Sequence, residues 1–258
     1  MSRFGDAVRL SVGTFSAVPV PAPRRVDRAT AGIAVALAPL AVLPVGGLVA
    51  ALAWAGRELA LPAVAIGALA IGAGAWATRG FHLDGLADTS DALASSYDRE
   101  RALTVARTGD VGPAGAVALV LVLLLQAASA GALASWAWGP VAVGVLWCLA
   151  RAAATVPLRR GVPPARPDGM GATFAGSVAV PALAAVWVLV LLIASVVAVV
   201  VDRPVLQGVS VVLLTLAVVF AFVHHVARRL GGIIGDLVGA SVEIALAVLL
   251  LGCAAVVA

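Results

Sequence analysis

A chain of 258 residues that is 62% hydrophobic and only 12% charged is not built like a water-soluble domain, which carries about twice that share of charge. Its net charge of +4 rests on seventeen basic residues, all arginine, scattered around apolar runs. With few aromatics and no basic–aromatic motif, that charge reads as membrane topology and excludes a nucleic-acid partner.

Residues 1–28 hold five arginines and end in Pro19-Val20-Pro21-Ala22-Pro23. No compact apolar core with a small-residue cleavage site follows the first arginines, so the segment does not read as a signal peptide. Phe4, Val8, Val12 and Phe15 share one helical face, which suits a short helix lying on a membrane surface or packed on the bundle.

Apolar runs follow at approximately 30–56, 59–78, 112–137, 139–157, 177–201, 204–227 and 237–258. A helix needs about 20 such residues to cross a bilayer. Pro39 and Pro44 interrupt the first run, and Gly139-Pro140 cuts the region 112–157, so six or eight spans stay open beside seven. Trp54, Trp76, Trp136 and Trp138 near span ends read as interface anchors. Cys148 and Cys253 lie inside apolar runs without metal-ligand spacing and read as small core residues. The expectation is an all-α, polytopic helical membrane protein with about seven transmembrane helices, one integral membrane domain over 1–258.

Arginine placement orients it. With the N-terminus inside, the inner segments collect Arg3, Arg9, Arg24, Arg25, Arg28, Arg79, Arg99, Arg101, Arg107, Arg159, Arg160, Arg166, Arg228 and Arg229, against Arg57 and Arg203 outside. Arg151 falls within a span. This asymmetry predicts an N-in, C-out topology with every long polar loop on the cytoplasmic side.

The first such loop, 79–111, carries six of the thirteen carboxylates between Asp84 and Asp110. Along a helix Asp84, Asp88 and Asp91 fall at about 0°, 40° and −20°, one row. Three carboxylates in a row repel one another, a cost that a divalent cation removes, and hard oxygen ligands suit Mg²⁺. The plainer reading is a solvated acidic face. His82 lies about 160° from Asp84 if the helix already runs there, which places it more naturally just before the helix.

The second loop, 158–176, contains Arg159, Arg160 and Arg166 in a Gly/Pro-rich stretch ending Pro167-Asp168-Gly169-Met170-Gly171. Guanidinium groups match phosphate oxygens with paired donors; Arg159 and Arg160 read as topology anchors and Arg166 as the phosphate candidate. The third stretch, 228–243, spaces Gly231, Gly235 and Gly239 four apart, allowing close helix approach. It sets Asp236 and Glu243 on a neighbouring row. A carboxylate as deep in a span as Glu243 is a functional candidate, with a pair to buried Arg151 as the structural alternative. His224 and His225 close a span and read as interfacial or core residues.

Three motifs, Phe81-His82-x-Asp84-Gly85-Leu86-Ala87-Asp88-x-x-Asp91-Ala92-Leu93, Ala165-Arg166-Pro167-Asp168-Gly169-Met170-Gly171 and Gly231-Gly232-x-x-Gly235-Asp236-x-x-Gly239-Ala240-x-x-Glu243, resemble in order and separation those of the cobalamin synthase family, also called adenosylcobinamide-GDP ribazoletransferases. The resemblance covers essentially the whole chain. It implies an enzyme of late vitamin B12 biosynthesis in the bacterial cytoplasmic membrane, its active site facing the cytoplasm. Such an enzyme joins adenosylcobinamide-GDP to α-ribazole or its 5′-phosphate and releases GMP, by attack of the ribazole 3′-hydroxyl on the phosphorus bearing the aminopropanol arm. On that resemblance Asp84, Asp88, Asp91 and Asp236 hold Mg²⁺ on the diphosphate, and His82 serves as general base or orients a carboxylate. Arg166, Arg107, Asp168 and Glu243 are the substrate- or phosphate-binding candidates. Membrane lipid surrounds the protein, and a homo-oligomer stays open. The stretch Arg107-Thr108-Gly109-Asp110 departs from the family's Lys-Asp-Ser-like segment; Arg107 takes the place of the lysine, and no metal role passes to the displaced Asp110.

Two other readings compete. CDP-alcohol phosphotransferases also build on aspartates at helical spacing, but Asp84-Gly85 is followed here by Leu-Ala-Asp and not by their Ala-Arg pattern. A secondary transporter would account for buried Arg151 and Glu243 and the broken first span, but has no need of a three-aspartate row.

Overall fold

In the computed structural model, residues 2–167 and 170–255 are described, and among them there are helices, turns and two isolated β-bridges but no strand. The chain opens with α1 (Arg3–Phe15), capped by the Ser2 side chain, which accepts from the Gly5 amide. One face of α1 buries Ala7, Ser11 and Phe15 against the bundle while Phe4 and Val8 stay exposed, so the helix packs on the protein and offers apolar side chains outward at once.

The first apolar run is broken into α2 (Arg28–Ala36), α3 (Ala38–Ala41) and α4 (Leu43–Glu58). Pro39 and Pro44 fall in the first turns of α3 and α4, where a missing backbone donor leaves no helical bond unmade. Next come α5 (Ala63–Ala77), α6 (Phe81–Ser95), α7 (Arg99–Val105) and α8 (Pro113–Ala134). α9 (Gly139–Leu149) runs on into a 3₁₀ turn, Ala150–Thr155, and then come α10 (Met170–Phe174), α11 (Val180–Val200), α12 (Val205–Leu230) and α13 (Asp236–Ala254).

All seven apolar runs are thus helical, but not all are single straight spans. Among the described residues four helices, α8, α11, α12 and α13, are each long and apolar enough to cross a membrane. α5 reaches that length only together with α6, from which it is bent by 92°. α6 carries three aspartates and packs on α13, α8 and α7. α13 is the central helix, with two-thirds of its apolar window buried against one-third for α8, α11 and α12. It packs on α6, α8, α12 and the 3₁₀ turn.

With few large side chains to interdigitate, close approach is made by glycine. A Cβ on Gly67 of α5 would overlap the Ala127 carbonyl of α8, and one on Gly131 of α8 would overlap the Ala63 carbonyl. Gly67→Val is therefore expected to force α5 and α8 apart at a cost of about 1–3 kcal/mol, read as a lowered melting temperature in detergent. An unchanged melting temperature would mean the two helices do not approach this closely. The Gly231/Gly235/Gly239 series does not form one helical face. Gly231 terminates α12 in the left-handed conformation, φ +73°, and α13 begins only at Asp236, so of these three glycines only Gly239 is an interhelical contact within α13.

Candidate active site

The corner between α5 and α6 is made by two successive left-handed residues, Arg79 (φ +56°) and Gly80 (φ +68°), after which α6 starts at once with Phe81. His82 is therefore inside the helix, not before it. The helical offset turns it away from the aspartate row into the interior, where it stacks on Phe15 at 5.7 Å and its ring nitrogens are buried without a hydrogen-bond partner among the described residues. A ring so enclosed has no contact with the cavity beside Asp84.

The aspartates occupy graded depths. Asp84 is exposed, while Asp88 and Asp91 are buried. α6 crosses the start of α13 so tightly that a Cβ on Gly85 would meet the Asp236 carbonyl at 2.5 Å and one on Gly239 would meet the His82 backbone at 2.9 Å. This crossing brings Asp236, distant in sequence, beside the α6 row. Burial first, and then repulsion from Asp84, Asp236 and Asp91, pushes the Asp88 carboxyl up to about 6.

Asp91 has a different surrounding. Its Oδ2 accepts from the Gly112 amide at 2.7 Å and its Oδ1 from the Gly115 amide at 2.9 Å, the N-cap and a first-turn donor of α8. A carboxylate at a helix N-terminus is favoured by those orphan donors and by the helix dipole. A Cβ on Gly112 or Gly115 would lie within 2.5 Å of an Asp91 oxygen, so glycine is required at both positions. The α6 row is thus divided: Asp84 and Asp88 turn to Asp236, and Asp91 clasps α8.

The Arg/Gly/Pro loop is strapped to the segment before α13. Pro164 and Ile233 form a parallel bridge, the Ala165 amide donates to the Ile233 carbonyl at 2.8 Å, and the Ile233 amide donates to the Pro163 carbonyl at 2.9 Å. Arg166, half-buried, follows directly, and a Cβ on Gly171 would lie 3.2 Å from the Gly235 amide. Asp168 lies outside the described residues. Two arginines read from sequence as topology signals hold this assembly by its backbone. Arg99 donates to the Ala165 carbonyl at 2.9 Å, and Arg229 donates to the Tyr97 carbonyl at 2.8 Å and also to that of Ser96. Single-sequence spacing has no signal for such contacts. Arg107 and Asp110 are exposed on the turn between α7 and α8.

Glu243 is buried in α13, but its partner is Gln126 of α8, whose Nε2 donates to the Glu243 side chain at 2.8 Å and to its carbonyl at 3.0 Å. Arg151 instead lies over the Trp147 ring at 3.2 Å and donates to the Trp147 carbonyl at 2.6 Å. The Arg151–Glu243 ion pair, the structural alternative read from the sequence, is not formed within 4 Å. Glu243 ties α13 to α8 below the aspartates.

Beside Asp84 a cavity of about 640 Å³ opens between the end of α1, the α5–α6 corner and α8. Its lining includes Thr14, Ser16, Thr78, Arg79, Asp84 and Leu119. No group of three acidic, histidine or cysteine side chains among the described residues is placed to hold a metal ion by itself. Mg²⁺ is commonly held by one or two carboxylates and completes its shell with water and substrate phosphate. Asp84 on the cavity wall and its neighbour Asp88 are hard oxygen donors of the kind such an ion takes.

The sequence model of cobalamin-5-phosphate synthases matches residues 7–254. An adenosylcobinamide-GDP ribazoletransferase of a Nocardioides species is 44% identical over 250 residues, covering 97% of this chain and 99% of the relative. One from Frankia casuarinae is 33% identical over 261 residues, 94% of this chain and 92% of the relative, and one from Citrobacter koseri is 33% identical over 167 residues, 65% and 66%. No solved structure matches.

Proposed function

This chain belongs to the cobalamin-5-phosphate synthase family, and on that premise we propose that it is an adenosylcobinamide-GDP ribazoletransferase whose reaction centre is the α6–α13 crossing. The substrates are adenosylcobinamide-GDP and α-ribazole or its 5′-phosphate. A ribazole hydroxyl forms a new bond to the phosphorus that carries the cobinamide arm, the bond from that phosphorus to GMP breaks, and the hydroxyl proton is released. The observation that carries this reading is the tight crossing of α6 on α13, which sets Asp236 near Asp84 and Asp88, with Asp84 on the cavity wall.

Mg²⁺ held by Asp84, Asp88 and Asp236 would supply charge neutralisation on the diphosphate and the departing phosphate. Asp91 holds α6 and α8 in register, so that Asp88 stays at its depth. Arg166, carried on the loop bonded to Ile233, is the candidate clamp for a second phosphate oxygen, with Arg107 and Asp168 as further candidates on neighbouring segments. Glu243 acts through the α8–α13 contact, and His82 through packing under α6. The arginine asymmetry supports an N-in chain of seven spans, with α2–α4 as a broken span and α9 with its 3₁₀ turn as a short one. The same asymmetry supports a crossing at the cytoplasmic face of the bacterial membrane. Lipid surrounds the spans, and self-association is compatible with their exposed leucines and valines.

The test is turnover in purified membranes supplied with adenosylcobinamide-GDP and α-ribazole, following GMP and the corrinoid product together. Coupled formation of both, lost on chelation and restored by Mg²⁺, is the expected result. Folded protein giving neither product would sink the assignment. Because Asp88 takes up a proton near pH 6 when no cation is bound, the Mg²⁺ concentration needed for half-maximal turnover should rise as pH falls through about 6 and level off above it. A flat dependence from pH 5 to 8 would remove Asp88 from the ion's ligands.

A further inference from the structure

Resting on that reading, we propose that Arg79 is a phosphate-binding residue for the nucleotide substrate, holding it in the cavity whose wall it shares with Asp84. Sequence places Arg79 only among the arginines that mark an inner loop. The structure gives it a more particular setting. It occupies the position after the end of α5, where its amide donates to the Trp76 carbonyl at 2.8 Å and the Gly80 amide donates to the Ala75 carbonyl at 2.8 Å. Glycine is the usual residue at such a helix end, because a Cβ is disfavoured in the left-handed conformation. Arg79 takes that conformation with φ +56° and so carries strain that glycine would not. Ala60 and Asp202 take the same conformation, so it is the cavity setting of Arg79, not the strain alone, that argues for its side chain.

The side chain supplies a reason. Arg79 is exposed, and no carboxylate of the described residues lies within 4 Å of its guanidinium. Among the described lining residues of the cavity of about 640 Å³ it is the one cation, as Asp84 is the one carboxylate. Arg166, the phosphate candidate found by motif, is not part of that lining. A diphosphate entering beside Asp84 therefore meets one guanidinium, that of Arg79, while the nearby Ser16 and Thr78 hydroxyls already donate to backbone carbonyls. Guanidinium presents paired donors to two phosphate oxygens, which an isolated hydroxyl does not.

The molecule contains its own controls. Ala60 (φ +53°) and Asp202 (φ +57°) take the same left-handed conformation after α4 and α11, outside the cavity lining. Arg79→Gly and Ala60→Gly should each melt at or above the parent's temperature, since both remove a strained Cβ. Only Arg79→Gly should raise the KM for adenosylcobinamide-GDP, by about tenfold or more for a lost charged hydrogen bond, while leaving the KM for α-ribazole in place. Inhibition by GDP should weaken by a similar factor, and Arg79→Lys should fall between. An Arg79→Gly variant with unchanged KM and unchanged GDP inhibition overturns the proposal, as does a KM rise shared by both substrates. GDP binding to the parent and to Arg79→Gly, measured by calorimetry in detergent, separates the two layers. A parent that makes no GMP but binds GDP through Arg79 overturns the family reaction and keeps this site.

Discussion

Asp88→Ala is expected to lower turnover roughly 10³-fold, several kcal/mol of transition-state stabilisation, while leaving the protein folded in the membrane. The reason is its position: it is the buried member of the group formed with Asp84 and Asp236, and burial first, then repulsion from its neighbouring aspartates, has driven its carboxyl up to about 6. The sign of the stability effect is opposite to that of the activity. A carboxyl whose folded value is raised above its unfolded 3.8 stabilises the fold fully only below about 3.8, and that contribution is lost as pH rises through about 6. At pH 8 without divalent cation the parent therefore bears an ionised, crowded Asp88, and Asp88→Asn should melt higher than the parent. Adding Mg²⁺ should stabilise the parent and leave Asp88→Asn nearly unchanged. Near-normal turnover in Asp88→Ala, or equal stabilisation of both proteins by Mg²⁺, would remove the residue from the centre.

Asp91→Ala is expected to fail differently, losing stability as well as activity. Both Asp91 oxygens accept amides of the α8 N-terminus, at 2.7 and 2.9 Å. Truncation leaves the part-buried Gly112 amide and the buried Gly115 amide unpaired and removes a charge from the positive end of α8, together about 2–4 kcal/mol. Asp91→Asn keeps one acceptor and should recover part of both losses. Thermal melting beside turnover distinguishes the cases. If Asp91→Ala keeps the parent's melting temperature and loses only its response to Mg²⁺, Asp91 belongs with Asp84 and Asp88 as a ligand, not with α8 as a clasp.

The contrast between these two aspartates shows where spacing reaches its limit. Helical periodicity correctly puts Asp84, Asp88 and Asp91 on one row, because i, i+4 and i+7 is a property of the helix alone. Which neighbour each carboxylate meets depends on helices that arrive from elsewhere: α13 at Gly85 and Gly239, α8 at Gly112 and Gly115. His82 shows the same limit, since its direction turned on whether α6 begins at Phe81. That was decided by the left-handed pair Arg79-Gly80, of which only the glycine announces itself in sequence.

By itself the sequence determined the features that local composition and period dictate. Its apolar runs could only be helices, its arginines mark one set of loops, and its three motifs name the family over the whole chain. The tertiary structure alone decided how those helices break and meet. It put a 92° corner between α5 and α6, gave Glu243 to Gln126 in place of Arg151, and turned Arg99 and Arg229 from topology signals into clamps on loop carbonyls. The physical reason is that hydrophobic period and charge are properties of residues near in sequence. A buried polar group is satisfied by whichever donor or acceptor the fold brings to it, and here those partners come from other helices and loops.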